Sequence, residues 1–282
     1  MTALAARMRF ARTGTGRIGL AATLLLLAVV IVGPPFALHD PAAIVGLPLQ
    51  RPGGGFLLGT DGLGRDVLSR VLWGGRSILA LSVLATTLAY VVGASIGLVA
   101  GYTRSLLDSL LMRAMDVLLA VPPLLLLLVL ATGAGHSVVV LVLGVATVHV
   151  PSIARIVRAA TQGVVGRGYV EAAVARGERT SSILAREILP NVLGVVLADA
   201  GIRLTGSILI LASVNFLGLG LQPPRADWAL MISENRGGIT LQPWAVAAPA
   251  LLIAFLTVAV NLVADAIARS LGTSIDRKRV AR

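Results

Sequence analysis

The chain has 282 residues, of which 56% are hydrophobic and only 13% charged, with a mean hydropathy of +0.90. A soluble domain is nearer half apolar and a quarter charged, so this composition describes a protein that lives in lipid. The absence of cysteine excludes disulfides and thiolate chemistry, and the net charge of +11 is dispersed among apolar runs, which argues for cytoplasmic loops and against nucleic-acid binding.

In chain order, residues 1–17 carry Arg7, Arg9, Arg12 and Arg17 ahead of an apolar run from Ile18 to about Leu38. That run is longer than the core of a signal peptide and no small-residue cleavage site follows it, so it reads as a signal anchor with a cytoplasmic N-terminus. Pro34-Pro35 marks its outer end, because proline removes a donor and clashes with the preceding turn. The interval 39–76 is polar and lies outside. From Arg65 onward it predicts an amphipathic helix at the outer interface, with Asp66 and Arg70 paired at i, i+4. A second span from Ser77 to about Tyr102 is rich in Gly and Ala, which suits close central packing. A short amphipathic loop leads to a third span from about Met115 to Thr132, with Pro122-Pro123 near its start and Asp116 set to neutralise Arg113. Gly133 to Ser137 makes an outer turn, and a fourth span runs to about Ile156. The polar interval 160–190 precedes a fifth span from Asn191 to about Val214. The outer loop 215–244 and a sixth span from Ala245 to about Ile267 follow. Asp265 and Arg269 read as an interfacial pair before the basic tail 269–282, which contains Arg277-Lys278-Arg279.

The charges test this topology. Of the 24 basic residues, only Arg51, Arg65, Arg70, Arg76, Arg225 and Arg236 fall outside, Arg203 lies within the fifth span, and the rest fall inside. That bias follows the positive-inside rule and places both termini and the interval 160–190 in the cytoplasm.

The stretch Tyr169 to Asn191 is the most charge-rich interval of the second half. Its local physics reads helix–break–helix. Tyr169, Val170, Ala173 and Val174 share one face of a first helix. Gly177 suits the left-handed position that closes it. Thr180 or Ser181 caps a second helix that continues through Ile183, Leu184, Glu187 and Ile188 to Pro190. A short helix with one apolar edge packs on its own bundle or enters a groove on a partner.

Glu171-Ala172-Ala173, then Gly177, Ile183 and Leu189-Pro190, resemble the EAA loop of bacterial ABC importer permeases in order, spacing and position before the fifth span. LGTDGLGRDVLSRVLWGGRS, MRAMDVLLAVPPLLL and FLGLGLQPPRADW resemble the dipeptide/oligopeptide/nickel permease group, and within it the second, C-type subunit, over roughly residues 17–270. The resemblance implies an all-α, six-span permease domain over 18–268 of the type I importer kind, with an outer interfacial helix and a cytoplasmic coupling helix. It implies that Ala172, Ala173 and Gly177 lie close to the contact with a cytoplasmic ATPase, while Glu171 and Pro190 set the geometry. It further implies a homologous permease subunit as heterodimer partner, two ATPase subunits that use ATP and Mg, and an extracytoplasmic binding protein. The chain has no phosphate-binding GxxxxGK[ST] loop of its own, so no cofactor is expected on it. Two departures stand out: Leu211 to Asn215 replaces a region where relatives carry an acid, and the tail reads LGTSIDRKR in place of LDPR. The first removes a group on which a substrate reading could rest; the second is neutral.

Asp199 and Arg203 stand at i, i+4 inside the fifth span. Charges at bilayer depth face a bundle interior or a cavity, so the pair is either a packing element or part of a translocation pathway. His39, His136 and His149 have no metal-ligand spacing. No paired carboxylates, HExxH or Ser/His/Asp set supports a membrane enzyme. A channel or secondary transporter working alone would leave the loop spacing as coincidence. Dipeptides, longer peptides, nickel and glutathione-like solutes all remain open as cargo.

Overall fold

The computed structural model describes residues 14–103 and 105–280, with side chains for 17–103 and 105–268. Arg7, Arg9, Arg12, Arg104, the expected Asp265–Arg269 pair and the side chains of the basic tail lie outside that description. The described residues are helical, with isolated β-bridges such as Ile44 to Arg65 in place of strands. Helix α1 spans Gly14–Val32 and stops at Gly33, where the 3-10 turn Pro34–Phe36 begins, so the proline pair does end it.

Helix α2, Val67–Thr103, is continuous through Ser77. The separate interfacial helix expected before the second span is therefore the first turns of α2. Gly74 and Gly75, which would weaken a free helix, sit beneath Trp228. A Cβ on Gly75 would stand 2.5 Å from the indole ring, so close packing, not a break, requires glycine there. The expected Asp66–Arg70 pair does not form either. Asp66 caps the helix, accepting the Ser69 amide at 3.1 Å and its hydroxyl at 2.6 Å, and Arg70 turns toward Asp61 and Glu234.

The third expected span is two helices, α3 (Leu106–Ala120) and α4 (Pro123–Ala134), bent by 86°. Residues before proline are pushed out of the helical region, and Val121 and Pro122 both precede one; each adopts an extended ψ. Asp108 and Asp116 of α3 reach across to helix α5, Val138–Val165. Asp108 receives Arg158 through two bonds of 2.6 Å, and Asp116 pairs with Arg155, not with Arg113 as expected. A neighbour on a packed helix has won over the neighbour in sequence.

The pairing of α2 with α5 is the most extensive in the molecule. Gly93, Gly97 and Gly101 recur every fourth residue on α2 and let the α5 backbone approach: a Cβ on Gly97 would lie 2.6 Å from the Ala154 carbonyl oxygen. This is the central packing that the small residues of the second span predict. Helix α6 is Gly168–Ala175; α7 runs over Thr180–Phe216, α8 over Trp228–Asn235 and α9 over Trp244–Val280. Four described helical stretches are long and apolar enough to cross a membrane: α2, α5, α7 and Trp244–Ala268 of α9. The bent α3–α4 pair makes a fifth if it counts as one span, and Arg17–Val32 is a shorter apolar helix.

Candidate functional site

Helix α6 ends as its sequence predicts. Gly177 has φ +71°, its amide donates to the Val174 carbonyl at 2.9 Å, and the Glu178 amide donates to the Ala173 carbonyl at 3.2 Å. Those two bonds are the Schellman closure that a left-handed residue permits. The second helix starts at Thr180 with Arg179 at the cap position and no side-chain cap bond. The expected Thr180 or Ser181 cap is absent because both hydroxyls already lie within the first turn. Residues Ile183–Ile188 then wind as a wider π turn, closed by the Leu189 amide on the Leu184 carbonyl. Pro190 explains it: with no amide and a ring that crowds the carbonyl four residues back, it cannot follow a regular turn.

The loop has two unlike edges. Val170, Ala173, Ile183 and Ile188 are buried with Val164 and Val192 in one apolar cluster. Tyr169 and Val174, expected on that face, are exposed. Ala173 has 0% exposure and packs the loop against its own bundle, while its neighbour Ala172 is exposed. Glu171, Ala172, Gly177 and Pro190 are exposed, and Leu189 is half-buried. Arg176 grips Glu178 through bonds of 3.0 and 2.6 Å, which holds the Glu178 carboxyl below its ordinary range. Arg179 and Arg186 project from the same surface without an ion pair among the described residues.

Asp199 and Arg203 do pair, at 3.0 Å. The same Asp199 oxygen accepts the Tyr90 hydroxyl at 2.7 Å, which ties α7 to α2. Nearby, Thr86 meets Ser207 at 2.8 Å and Thr205 meets Asn261 at 3.2 Å. The histidines stay apart. His39 faces Asp66, His136 meets the Leu219 carbonyl, and His149 is buried beside Gly206.

The two polar intervals expected outside, 39–76 and 215–244, come together as one cap, which residue-by-residue reading missed. Asp61 receives Arg65 at 2.6 Å and Arg70 at 2.9 Å; Glu234 receives both arginines at 2.8 Å. Arg70 is 0% exposed. Gln242 donates to the carbonyls of Gln50 and Leu58, and Asn235 accepts the Gly62 amide. The Trp228 indole donates to the Val71 carbonyl at 2.8 Å. Asn215, the departure noted in the sequence, is buried here: it donates to Asp227 at 3.0 Å and accepts the Leu221 amide at 2.9 Å. The signal was present in the motifs TDGLGRDVLSR and ADWALMISE: the second carries two acids and no base, and Glu234 takes its cations, Arg65 and Arg70, from the first.

The family model for the binding-protein-dependent transport system inner membrane component matches residues 93–277. The chain is 34% identical to the dipeptide transport system permease protein DppC of Haemophilus influenzae, across 88% of this chain and 86% of that one. It is 35% identical to the glutathione transport system permease protein GsiD of Pectobacterium atrosepticum, across 77% of this chain and 72% of that one. Its fold is shared with a chain of the inward-facing MetNI methionine ABC transporter, with a TM-score of 0.58, 19% identity and coverage of 73% of this chain and 96% of that one.

Proposed function

The chain belongs to the family of binding-protein-dependent transport system inner membrane components, and from that premise we propose that it carries di- or oligopeptides inward by alternating access as one half of a permease heterodimer. Two cytoplasmic ATPase subunits, using ATP and Mg, would drive it, and an extracytoplasmic binding protein would deliver the cargo. The N- and C-termini would face the cytoplasm with the loop 160–190. Dipeptide permeases among the relatives support the peptide reading. A glutathione permease among them keeps glutathione-like solutes as the alternative, with nickel behind it.

The observation that carries the reading is the two-edged loop. A knob that moves with its bundle must be fixed on one side and open on the other. Ala173, Ile183 and Ile188 supply the fixed side, and Glu171, Ala172 and Gly177 the open one. Closure of the ATPase dimer would then pull the loop and, through Ile183–Pro190, the base of α7. Asp199 and Arg203 fit a packing clamp better than a pathway pair, because one carboxylate oxygen is shared between Arg203 and Tyr90.

The test is at Gly177, whose missing Cβ faces open space. Gly177→Asn keeps the left-handed backbone accessible, whereas Gly177→Trp adds bulk at the contact. The tryptophan variant should assemble with its partners yet lose most uptake and substrate-stimulated ATP hydrolysis, and the asparagine variant should lose much less. Full activity in the tryptophan variant would remove the loop from the coupling path.

A further inference from the structure

Where α2 leaves the cap, a cleft of about 370 Å³ opens between α2, the start of α5 and the loop before α8. We propose that it binds an anionic phospholipid, with the phosphate at a rim made by Arg76 and Arg225 and an acyl chain along Trp73, Ala80, Val138 and Leu221. This inference is independent of the transport reading.

The rim is built, not incidental. Arg76 donates to the Val30 carbonyl at 3.1 Å and the Ile31 carbonyl at 2.9 Å, and its guanidinium lies 5.0 Å over the Trp73 ring. It is held in place before any ligand arrives, so little rotamer freedom remains to be lost on binding. Arg225 is exposed, and its guanidinium has no partner among the described residues; its backbone is fixed by the Arg70 bond to its carbonyl at 3.3 Å. The acids beside the cleft form no ion pair with these cations among the described residues. Asp40 is engaged by the Ala42 amide. Asp227 is fully buried and accepts from Ser77, Asn215, Ala229 and Leu230.

Below the rim the walls turn apolar within one helical turn, from Arg76 to Ala80 and across to Val138 and Leu221. Tryptophan and arginine at such a boundary mark the level of the headgroups. A guanidinium pairs with phosphate through parallel bonds, and an apolar wall beneath it suits a chain covalently joined to that phosphate. A soluble anion would leave the wall empty. The choline of a zwitterionic lipid would meet two cations.

The experiment places a benzophenone amino acid at the exposed Ala80 of the assembled importer. The complex is reconstituted in nanodiscs of equal phosphatidylglycerol and phosphatidylcholine. After irradiation, the lipid joined to this chain is identified by mass. Phosphatidylglycerol should exceed phosphatidylcholine about fivefold for each arginine engaged. That preference should fall in Arg225→Gln, a variant that removes no side-chain hydrogen bond or ion pair among the described residues. Equal labelling by the two lipids, an unchanged preference in Arg225→Gln, or labelling of a neighbouring subunit in place of lipid would each overturn the proposal.

Discussion

The two ends of the molecule use the same residue types to opposite purpose. In the cap, Asp61, Arg65, Arg70 and Glu234 close on one another and lie almost wholly out of solvent. In the loop between α5 and α7, Arg176 and Glu178 pair in the open, and Arg179 and Arg186 pair with nothing described. Buried ions must be fully matched, because an unmatched one carries a desolvation cost of several kcal/mol. Exposed ions cost little and are worth little until a partner covers them. The cap's charges are thus matched among themselves, although Arg70 Nε, Glu234 Oε1 and Gln242 Oε1 are left without a hydrogen-bond partner among the described residues, and the loop's cations stay in the open.

The sharpest way to break the comparison is Arg70→Met. It strips one donor from Asp61 and one from Glu234, leaving Arg65 alone to serve the buried Asp61 and the largely buried Glu234. The loss should be about 3–5 kcal/mol, read as a lowered unfolding temperature of the purified importer. A loss below about 1 kcal/mol, the range of exposed pairs, would show that the cap behaves like the loop.

The next effect separates the loop's own edges. Ala173→Leu forces a larger side chain into the Val170–Ile183–Ile188 cluster and should cost about 1–3 kcal/mol. Ala172→Leu, one residue away on the open edge, should leave stability within about 0.5 kcal/mol but lower substrate-stimulated ATP hydrolysis. If the two variants exchange behaviours, the assignment of fixed and open edges is inverted.

These contrasts also show what could be read from the chain. Apolar runs and their periodicity placed most of the helices, and Gly177 announced a left-handed closure that φ +71° bears out. These are local properties, set within a few residues. What escaped depends on elements far apart in sequence. Gly74-Gly75 looks like a weak point until Trp228 rests on it. Asp116 finds Arg155 and not Arg113, because α5 packs against α3. Ala173 belongs to the resembled motif, yet its burial assigns it to the bundle and leaves Ala172 and Gly177 to face outward.

A pH series sharpens the comparison further. Burial pushes the Asp227 carboxyl up, against the hydrogen bonds from Ser77, Leu230, Asn215 and Ala229. The folded state therefore takes up a proton more readily than the unfolded state. The stability this adds is complete below the ordinary carboxylate value and is lost as pH rises through the raised folded value. Asp227→Asn keeps an acceptor for the Ala229 and Leu230 amides and cannot titrate. Relative to that variant, the wild-type unfolding temperature should fall as pH rises from acid toward neutral. A difference that stays flat across the series would mean that burial does not set the protonation of the cap.

Glu178 should give the smallest effect, and of the opposite sign. Arg176 holds its carboxyl below the usual range, so any stability it adds is present above the ordinary carboxylate value and is lost only as pH falls through the depressed folded one. Glu178→Gln should leave the unfolding temperature unchanged near neutral pH, since the pair is exposed and screened by salt. The same variant frees Arg176 to join Arg179 and Arg186 on the open surface. If that surface docks on a partner, the salt dependence of partner binding should steepen while stability stays fixed. A stability loss with unaltered salt dependence would instead make this pair a structural tie like those of the cap.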